Sequence, residues 1–160
     1  MKRLLWVAAL LTAQHASAQT APAAPVTPGT LSGYVGQVSS LVFEARTELA
    51  RAVTGTRRAE ACQFMPRKVQ TLLDRGNELV TGQRNVYTAS ATPTNASLYL
   101  AASQARSALL SIQEGVNAAC THAREPLAAS VASLALKVAQ LEVELAFGEL
   151  GKAADASGGK

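Results

Sequence analysis

Apolar residues recur along most of the chain in alternating steps of three and four, the spacing that keeps one face of a helix on a partner. The first such series is Leu31, Val35, Val38, Val42, Ala45, Leu49 and Ala52. The second is Cys62, Met65, Val69, Leu72, Gly76 and Leu79. The third is Leu98, Ala102, Ala105, Leu109, Ile112, Val116 and Ala119, and the fourth is Leu127, Val131, Leu134, Val138, Leu141 and Leu145. No strand-like alternation competes with them, so the pattern predicts four helices.

Proline and glycine set the expected bounds of the second helix. Pro66 has no backbone N–H to donate and suits a first helical turn best. We therefore expect this helix to begin near Met65 and to end at about Thr81, with Gly82 as a left-handed stop. Residues 83–95 then form a long polar connection.

Four helices joined mostly by short connections predict an all-α fold, an antiparallel up-down-up-down four-helix bundle with heptad-type packing. Glu125 and Pro126 have the character of a cap and a first-turn proline at the start of the fourth helix. We expect the bundle domain to occupy residues 31–150 and residues 151–160 to form a flexible tail. The same series also suit a coiled-coil or swapped homo-oligomer, and their spacing alone leaves the choice open.

The beginning of the chain has the layout of a cleaved signal peptide. Lys2 and Arg3 precede an apolar run and a small-residue site that ends at Ala18. The run is far shorter than the roughly 20 residues needed to cross a bilayer. We therefore expect residues 1–18 to be removed, residues 19–30 to be a Pro/Ala-rich linker, and no transmembrane segment to remain. The mature protein is expected to be exported, as a periplasmic, cell-envelope or secreted protein.

The charge balance argues against nucleic acid as a partner. The sequence has 15 basic and 11 acidic residues, a net charge of +4. Two of the basic residues, Lys2 and Arg3, belong to the predicted signal peptide, so the mature chain carries a charge near +2. Proteins that bind nucleic acid usually present a strongly basic domain or stripe.

The two cysteines are expected to form one disulfide, Cys62 to Cys120. Export to an oxidising compartment favours that pairing. An antiparallel bundle also places the start of the second helix beside the end of the third. Zinc would need about four ligands, and the mature chain has only two cysteines and His122. A nucleophilic Cys120 beside His122 is the alternative. We predict no metal, no cofactor and no catalytic residue.

Six basic residues are expected at the pole of the bundle that holds the disulfide, and we call this set the basic pole: Arg57, Arg58, Arg67, Lys68, His122 and Arg124. Three of them lie at or just past predicted helix C-termini, where cations complement the helix dipole. Arg67 and Lys68 instead lie in a predicted first turn, where positive charge is unfavourable. They are the strongest candidates for contact with an anionic partner, and a solvated charged end is the alternative.

The function predicted from these features is that of an exported, non-catalytic helical protein that binds another protein or an envelope component. The basic pole is one candidate surface for it. Arg84 and Tyr87, on the predicted long connection at the opposite pole, are candidate loop contacts. The alternative is a carrier of a small molecule or cofactor in the bundle interior, although the many alanines in the series leave little room there.

Overall fold

The computed structural model describes residues 26–55 and 57–158. This part of the chain is all-helical and contains four helices: α1 (Pro28–Val53), α2 (Arg58–Ala89), α3 (Pro93–Cys120) and α4 (Ala128–Gly158). The predicted all-α four-helix fold is therefore confirmed. The predicted signal peptide and residues 19–25 of the predicted linker lie outside the described residues.

Helices that follow one another in the chain run in opposite directions. Val26, just before α1, accepts a hydrogen bond from Gln83, near the end of α2 (3.1 Å). The Cys62–Cys120 disulfide joins the start of α2 to the end of α3. α1 and α3 touch across the centre of the bundle, whereas α2 and α4 occupy opposite corners. Every member of the first and third apolar series is buried between them.

Tyr34 is the largest fully buried side chain in this core. Its hydroxyl donates a hydrogen bond to the Leu72 carbonyl oxygen at 3.1 Å. Burial disfavours the phenolate and raises the pKa of Tyr34 to about 12, although nearby guanidinium groups oppose the shift. The ring fits because residue 76 is glycine: a Cβ at that position would collide with the Tyr34 hydroxyl oxygen. Gly76 is thus a packing residue, required by the close approach of α2 to the Tyr34 ring.

The predicted start of the second helix was wrong. α2 begins at Arg58, and Pro66 lies inside it. Local signals do not favour these first turns, because Pro66 lacks an N–H and no side chain caps the helix. Tertiary contacts hold them instead: Ala61 and Met65 are buried, and Cys62 is bonded to α3.

The predicted end of the second helix was also wrong. Gly82 does not stop α2, which continues to Ala89. At Gly82 the helix packs close to Val26, because a Cβ there would lie 3.4 Å from the Val26 side chain. The expected long connection is reduced to residues 90–92. Thr92 then caps α3, its hydroxyl accepting a hydrogen bond from the Asn95 backbone N–H at 3.2 Å.

Small residues line the contact between α3 and α4. The α4 side carries them every seven positions, at Ala132, Ala139 and Ala146. The α3 side carries them at the same spacing, at Ala101, Ala108 and Gly115. A Cβ at Gly115 would lie 3.4 Å from the Ala132 carbonyl oxygen and 3.5 Å from the Ala135 Cβ. Small side chains at such a contact bring the helix axes near the short end of the usual 8–10 Å range.

The predicted core face of the fourth helix was wrong. The six residues of the predicted fourth series are exposed, and the buried face comprises Ala128, Ala132, Ala135, Leu136, Ala139, Val143, Ala146 and Ala153. The reason is steric, since helices as close as α3 and α4 cannot hold a row of leucines between them. α4 also begins at Ala128, just after the expected Glu125–Pro126 start, and continues to Gly158, past the predicted bundle end at residue 150.

The fit of Tyr34 against Gly76 predicts strong coupling between the two positions. Gly76→Ala should gain about 1 kcal/mol in helix propensity and lose about 1–3 kcal/mol through overpacking against the Tyr34 hydroxyl. In a Tyr34→Phe background the collision is relieved, so the same substitution should cost less or become stabilising. Urea unfolding of the two single variants and the double variant measures this coupling. Additive free-energy changes would contradict the steric argument.

Candidate functional site

The disulfide end of the bundle gathers part of the basic pole. The Arg58 guanidinium donates a hydrogen bond to the Cys120 carbonyl oxygen at 2.9 Å. His122 Nδ1 lies 2.8 Å from Glu125 Oε1. An open cleft of about 480 Å³ is lined by Arg58, Thr121, His122, Arg124 and Glu125. The predicted disulfide is present, and three of the six predicted basic residues do come together beside it.

The other three basic residues lie apart from that cleft, and two of them pair with acidic residues. Arg57, whose backbone is left-handed (φ 56°), pairs with Glu60 at the next turn. Lys68 Nζ lies 2.8 Å from both carboxylate oxygens of Glu44, on α1. The same ammonium stands 4.4 Å from the centre of the Phe64 ring. The predicted basic pole is therefore not one continuous positive surface. Its residues lie in separate places, and acidic partners neutralise part of their charge.

Arg67 and Lys68 do not lie in a first helical turn, as was expected from the sequence. α2 begins at Arg58, so the two residues lie in its third turn and not in its first. The N-terminal dipole that made their charge unfavourable falls off within about one turn. Arg67 lies at the rim of a groove between α1 and α2, and Lys68 has Glu44 as its partner within the chain.

Arg84 and Tyr87, predicted as loop contacts, lie on the last turns of α2. The Tyr87 ring stacks on Tyr99 of α3, with ring centres 6.1 Å apart and planes within 2°. Arg84 is exposed. The stack gives Tyr87 a role in joining the ends of α2 and α3.

The groove between α1 and α2 has a volume of about 900 Å³. Small residues open it on the α1 side, where Gly33, Gly36 and Ser40 face the gap. Its walls are apolar at Leu41 and Leu72. Phe64, Arg67, Lys68 and Glu44 lie toward its other end, nearer the disulfide. The groove therefore combines an apolar bed with a charged end.

The exposed face of α4 and the residue just before the helix carry a continuous apolar row, which we call the α4 seam: Leu127, Val131, Leu134, Val138, Leu141 and Leu145. The exposed fraction of these side chains ranges from 40% at Val138 to 69% at Leu127, against 5% or less in the first and third series. Their steps of four and three place valine or leucine at every heptad position a and leucine at every position d. Isolated exposed apolar side chains are ordinary, but a contiguous row is a candidate interaction surface.

Polar groups border the seam on both sides. On the side facing α3, the Glu142 carboxylate accepts hydrogen bonds from the hydroxyls of Ser107 (2.5 Å) and Ser111 (2.9 Å). On the other side Lys137 is exposed. Leu110, which is 40% exposed, lies one turn from Ser107 and adds apolar surface on the neighbouring helix. The seam thus has charged groups at its edges, and Phe147, which is 43% exposed, adds further apolar surface on α4.

Within residues 26–55 and 57–158, no three histidine, cysteine or carboxylate side chains lie together as metal ligands would. No helix in that part of the chain is long and apolar enough to cross a membrane. No protein-family model, curated protein or solved structure matches the chain.

The disulfide should stabilise the first turns of α2 in particular, because Pro66 separates them from the rest of the helix. Replacing Cys62 and Cys120 together by alanine should lower the free energy of unfolding by about 4 kcal/mol in the chain-entropy model. Amide exchange should rise more at residues 58–65 than at residues 69–80. Hydrogen-exchange mass spectrometry and urea unfolding of the variant measure both effects. Equal exchange changes in the two segments would show that the bridge does not act locally on α2.

Proposed function

We propose that this chain is an exported, non-catalytic helical protein that binds another protein through the α4 seam. The observation that carries the proposal is the seam itself, six large apolar side chains in unbroken heptad order on the outside of the bundle. A soluble helix normally turns one apolar stripe inward and presents polar residues outside. α4 instead has two apolar faces, of which the small-residue face is used by the fold.

The shape and charge of the seam favour a protein helix over a lipid surface. A strip limited to positions a and d is the narrow contact made by coiled coils. Helices that lie on membranes usually combine a broad apolar face with a polar face rich in lysine and arginine. The borders of this seam carry Glu142 and Glu144 as well as Lys137. Such a surface gains little from anionic lipids and suits a partner helix.

Export is part of the proposal, and two independent features support it. Residues 1–18 have the three-part pattern of a cleaved signal peptide. The Cys62–Cys120 disulfide is a bond that persists in oxidising compartments and is rare in reducing ones. Its presence in a bundle with an alanine-rich core also supplies stability that large core side chains would otherwise provide.

Site-specific photo-cross-linking in the producing cell tests the proposal. A photoreactive amino acid at Leu134, in the seam, should give covalent protein adducts because a bound partner helix lies against it. The same amino acid at Gln70, an exposed position on α2, is the matched control and should give none. Equal labelling at the two positions, or no adduct at Leu134, would refute binding through the seam. The mass of any adduct reports whether the partner is another protein or a further copy of this chain.

A second candidate function is the binding of a small amphipathic molecule in the α1–α2 groove. The bundle interior is filled by core side chains, so the groove takes the place of the interior site predicted from the sequence. Its apolar bed suits a hydrocarbon body, and Arg67 at its rim suits an anionic end. The groove is open to solvent, and this makes it the weaker candidate of the two.

Filling the groove tests this second function. A Cβ at Gly36 would meet no atom within 4 Å, so Gly36→Leu should fold normally while occupying the bed. Gly151→Leu, at an equally open position on α4, is the matched control. If the groove binds such ligands, titration with a fluorescent fatty-acid analogue should show at least tenfold weaker binding for Gly36→Leu and unchanged binding for the control. Equal affinity in both variants, or none in the unmodified chain, would remove the groove from consideration.

A further inference from the structure

We propose that the partner of the α4 seam is a second copy of this chain, with the two α4 helices packed in parallel and in register as a two-stranded coiled coil. This inference rests on the proposed function, because it names the occupant of the same surface. It is carried by the order of side chains within the seam, the charges at its edges and the position of the seam relative to α1 and α3.

The side chains at the two heptad positions are those that favour a parallel pair. Positions a hold Val131, Val138 and Leu145, and positions d hold Leu127, Leu134 and Leu141. Valine at a with leucine at d favours two strands in parallel coiled coils, because each shape packs well into the hole formed by the facing helix. A stripe of this kind is complementary to itself, as a two-fold interface requires.

The flanking charges distinguish parallel from antiparallel pairing. In a parallel pair, a residue at position g faces position e of the next heptad on the other helix. Lys137 is at g and Glu142 is at e, so each copy would place an ammonium opposite a carboxylate of the other copy. The two serine hydroxyls of α3 already hold that carboxylate at the edge of the seam. An antiparallel pair that matches all six seam residues would instead set Lys137 against Lys137.

One flanking pair is less favourable, but its charge is largely compensated within each copy. Glu144 at position g would face Glu149 at position e of the other copy. Glu149 is paired with Lys152 at 2.7 Å, and its side chain is only 15% exposed. Its charge is therefore directed toward its own chain. The seam ends at Leu145, because the next d position is Gly148.

The bundle leaves room for a second helix along the seam. α4 turns heptad positions b, e and f toward α1 and α3, and these positions hold its buried residues. Arg46 of α1 bonds Gln140 on the polar side of α4, and Ser107 bonds Glu142 on the other. The a and d positions point away from both helices. Covering the seam and its flanks on two copies would bury on the order of 1,200 Å², the low end of the range for stable protein interfaces.

The chain's own N-terminal residues do not suit the seam. Residues 19–25, which follow the predicted cleavage site, read QTAPAAP. They contain no large apolar side chain to fill the holes between leucines. A second copy supplies the required side chains at the required spacing.

Sedimentation equilibrium of the full mature chain, disulfide intact, tests the pairing. The unmodified chain should be dimeric at micromolar concentration. Leu134→Lys with Leu141→Lys should raise the dissociation constant at least 100-fold, because it buries unpaired charges at the centre of the contact. Phe43→Lys, at a large apolar residue on α1 that is 62% exposed, is the matched control and should remain dimeric. Circular dichroism and thermal melting should show that both variants keep their helices, since all three positions are exposed.

A cysteine probe tests the orientation. In the parallel arrangement Val131 lies opposite Val131 of the other copy, so Val131→Cys should form a covalent dimer on mild oxidation, whereas Phe43→Cys should not. Mass spectrometry of the peptides confirms that the new bond leaves Cys62–Cys120 intact. A Val131→Cys dimer that fails to cross-link through the introduced thiols would overturn the parallel arrangement.

The outcomes also separate this inference from the proposed function. A chain that stays monomeric at 100 µM, together with adducts at Leu134 of another mass, would overturn pairing between copies and leave protein binding through the seam in place. A monomeric chain without adducts at Leu134 would overturn both. A dimer that the two lysines do not weaken would place the contact between copies elsewhere and refute the inference.

Discussion

The close contact between α3 and α4 is the constraint on which the arrangement of surfaces depends. Alanine and glycine recur every seven residues on both helices, and their backbones meet where Gly115 faces Ala132. A pair of helices at that distance has no room for branched side chains at the contact. This close contact fixes the rotation of α4 about its own axis, because only the alanine face of α4 can pack against α3. The leucines and valines of the α4 seam are then left on the outside of the bundle, whereas Leu136 and Val143 are buried beside the alanines.

This constraint explains which parts of the fold could be predicted from the sequence. The first and third apolar series each have one dominant face, and that face is buried in the structure. The fourth helix has two, and choosing the face with the larger side chains gave the wrong core. The heptad spacing of Ala132, Ala139 and Ala146 was a readable signal, but hydrophobicity alone ranks alanine below leucine. The shape of α3 decides which of the two faces is buried. The sequence of α4 alone carries no information about that shape.

The bounds of α2 and the separation of the six basic residues both depend on contacts between residues that are far apart in the sequence. Pro66 and the uncapped start of α2 argue locally against a helix before Met65, yet the disulfide and the burial of Ala61 hold one there. Glu44 is distant from Lys68 in the sequence and in direct contact with it in the fold. The cysteine pairing was predictable because it needed only the order of the helices and the export predicted from the start of the sequence. The partner of Lys68 was not, because it depends on the relative rotation of α1 and α2.

The seam side chains contribute less to the stability of the bundle than buried ones would, and this supports a role in binding. Complete burial of a leucine or valine side chain contributes about 1.5–3 kcal/mol, so side chains held about half exposed forgo roughly 1 kcal/mol each. Polar residues on the outer face of α4 would serve the bundle equally well and would lower the risk of non-specific association. Helix formation does not require valine there either, because β-branched residues are weaker helix formers than alanine or glutamate. Neither packing within the bundle nor helix propensity therefore accounts for the alternation of valine and leucine at Val131, Leu134, Val138 and Leu141. Packing against a second helix does account for it, since that contact alone distinguishes position a from position d.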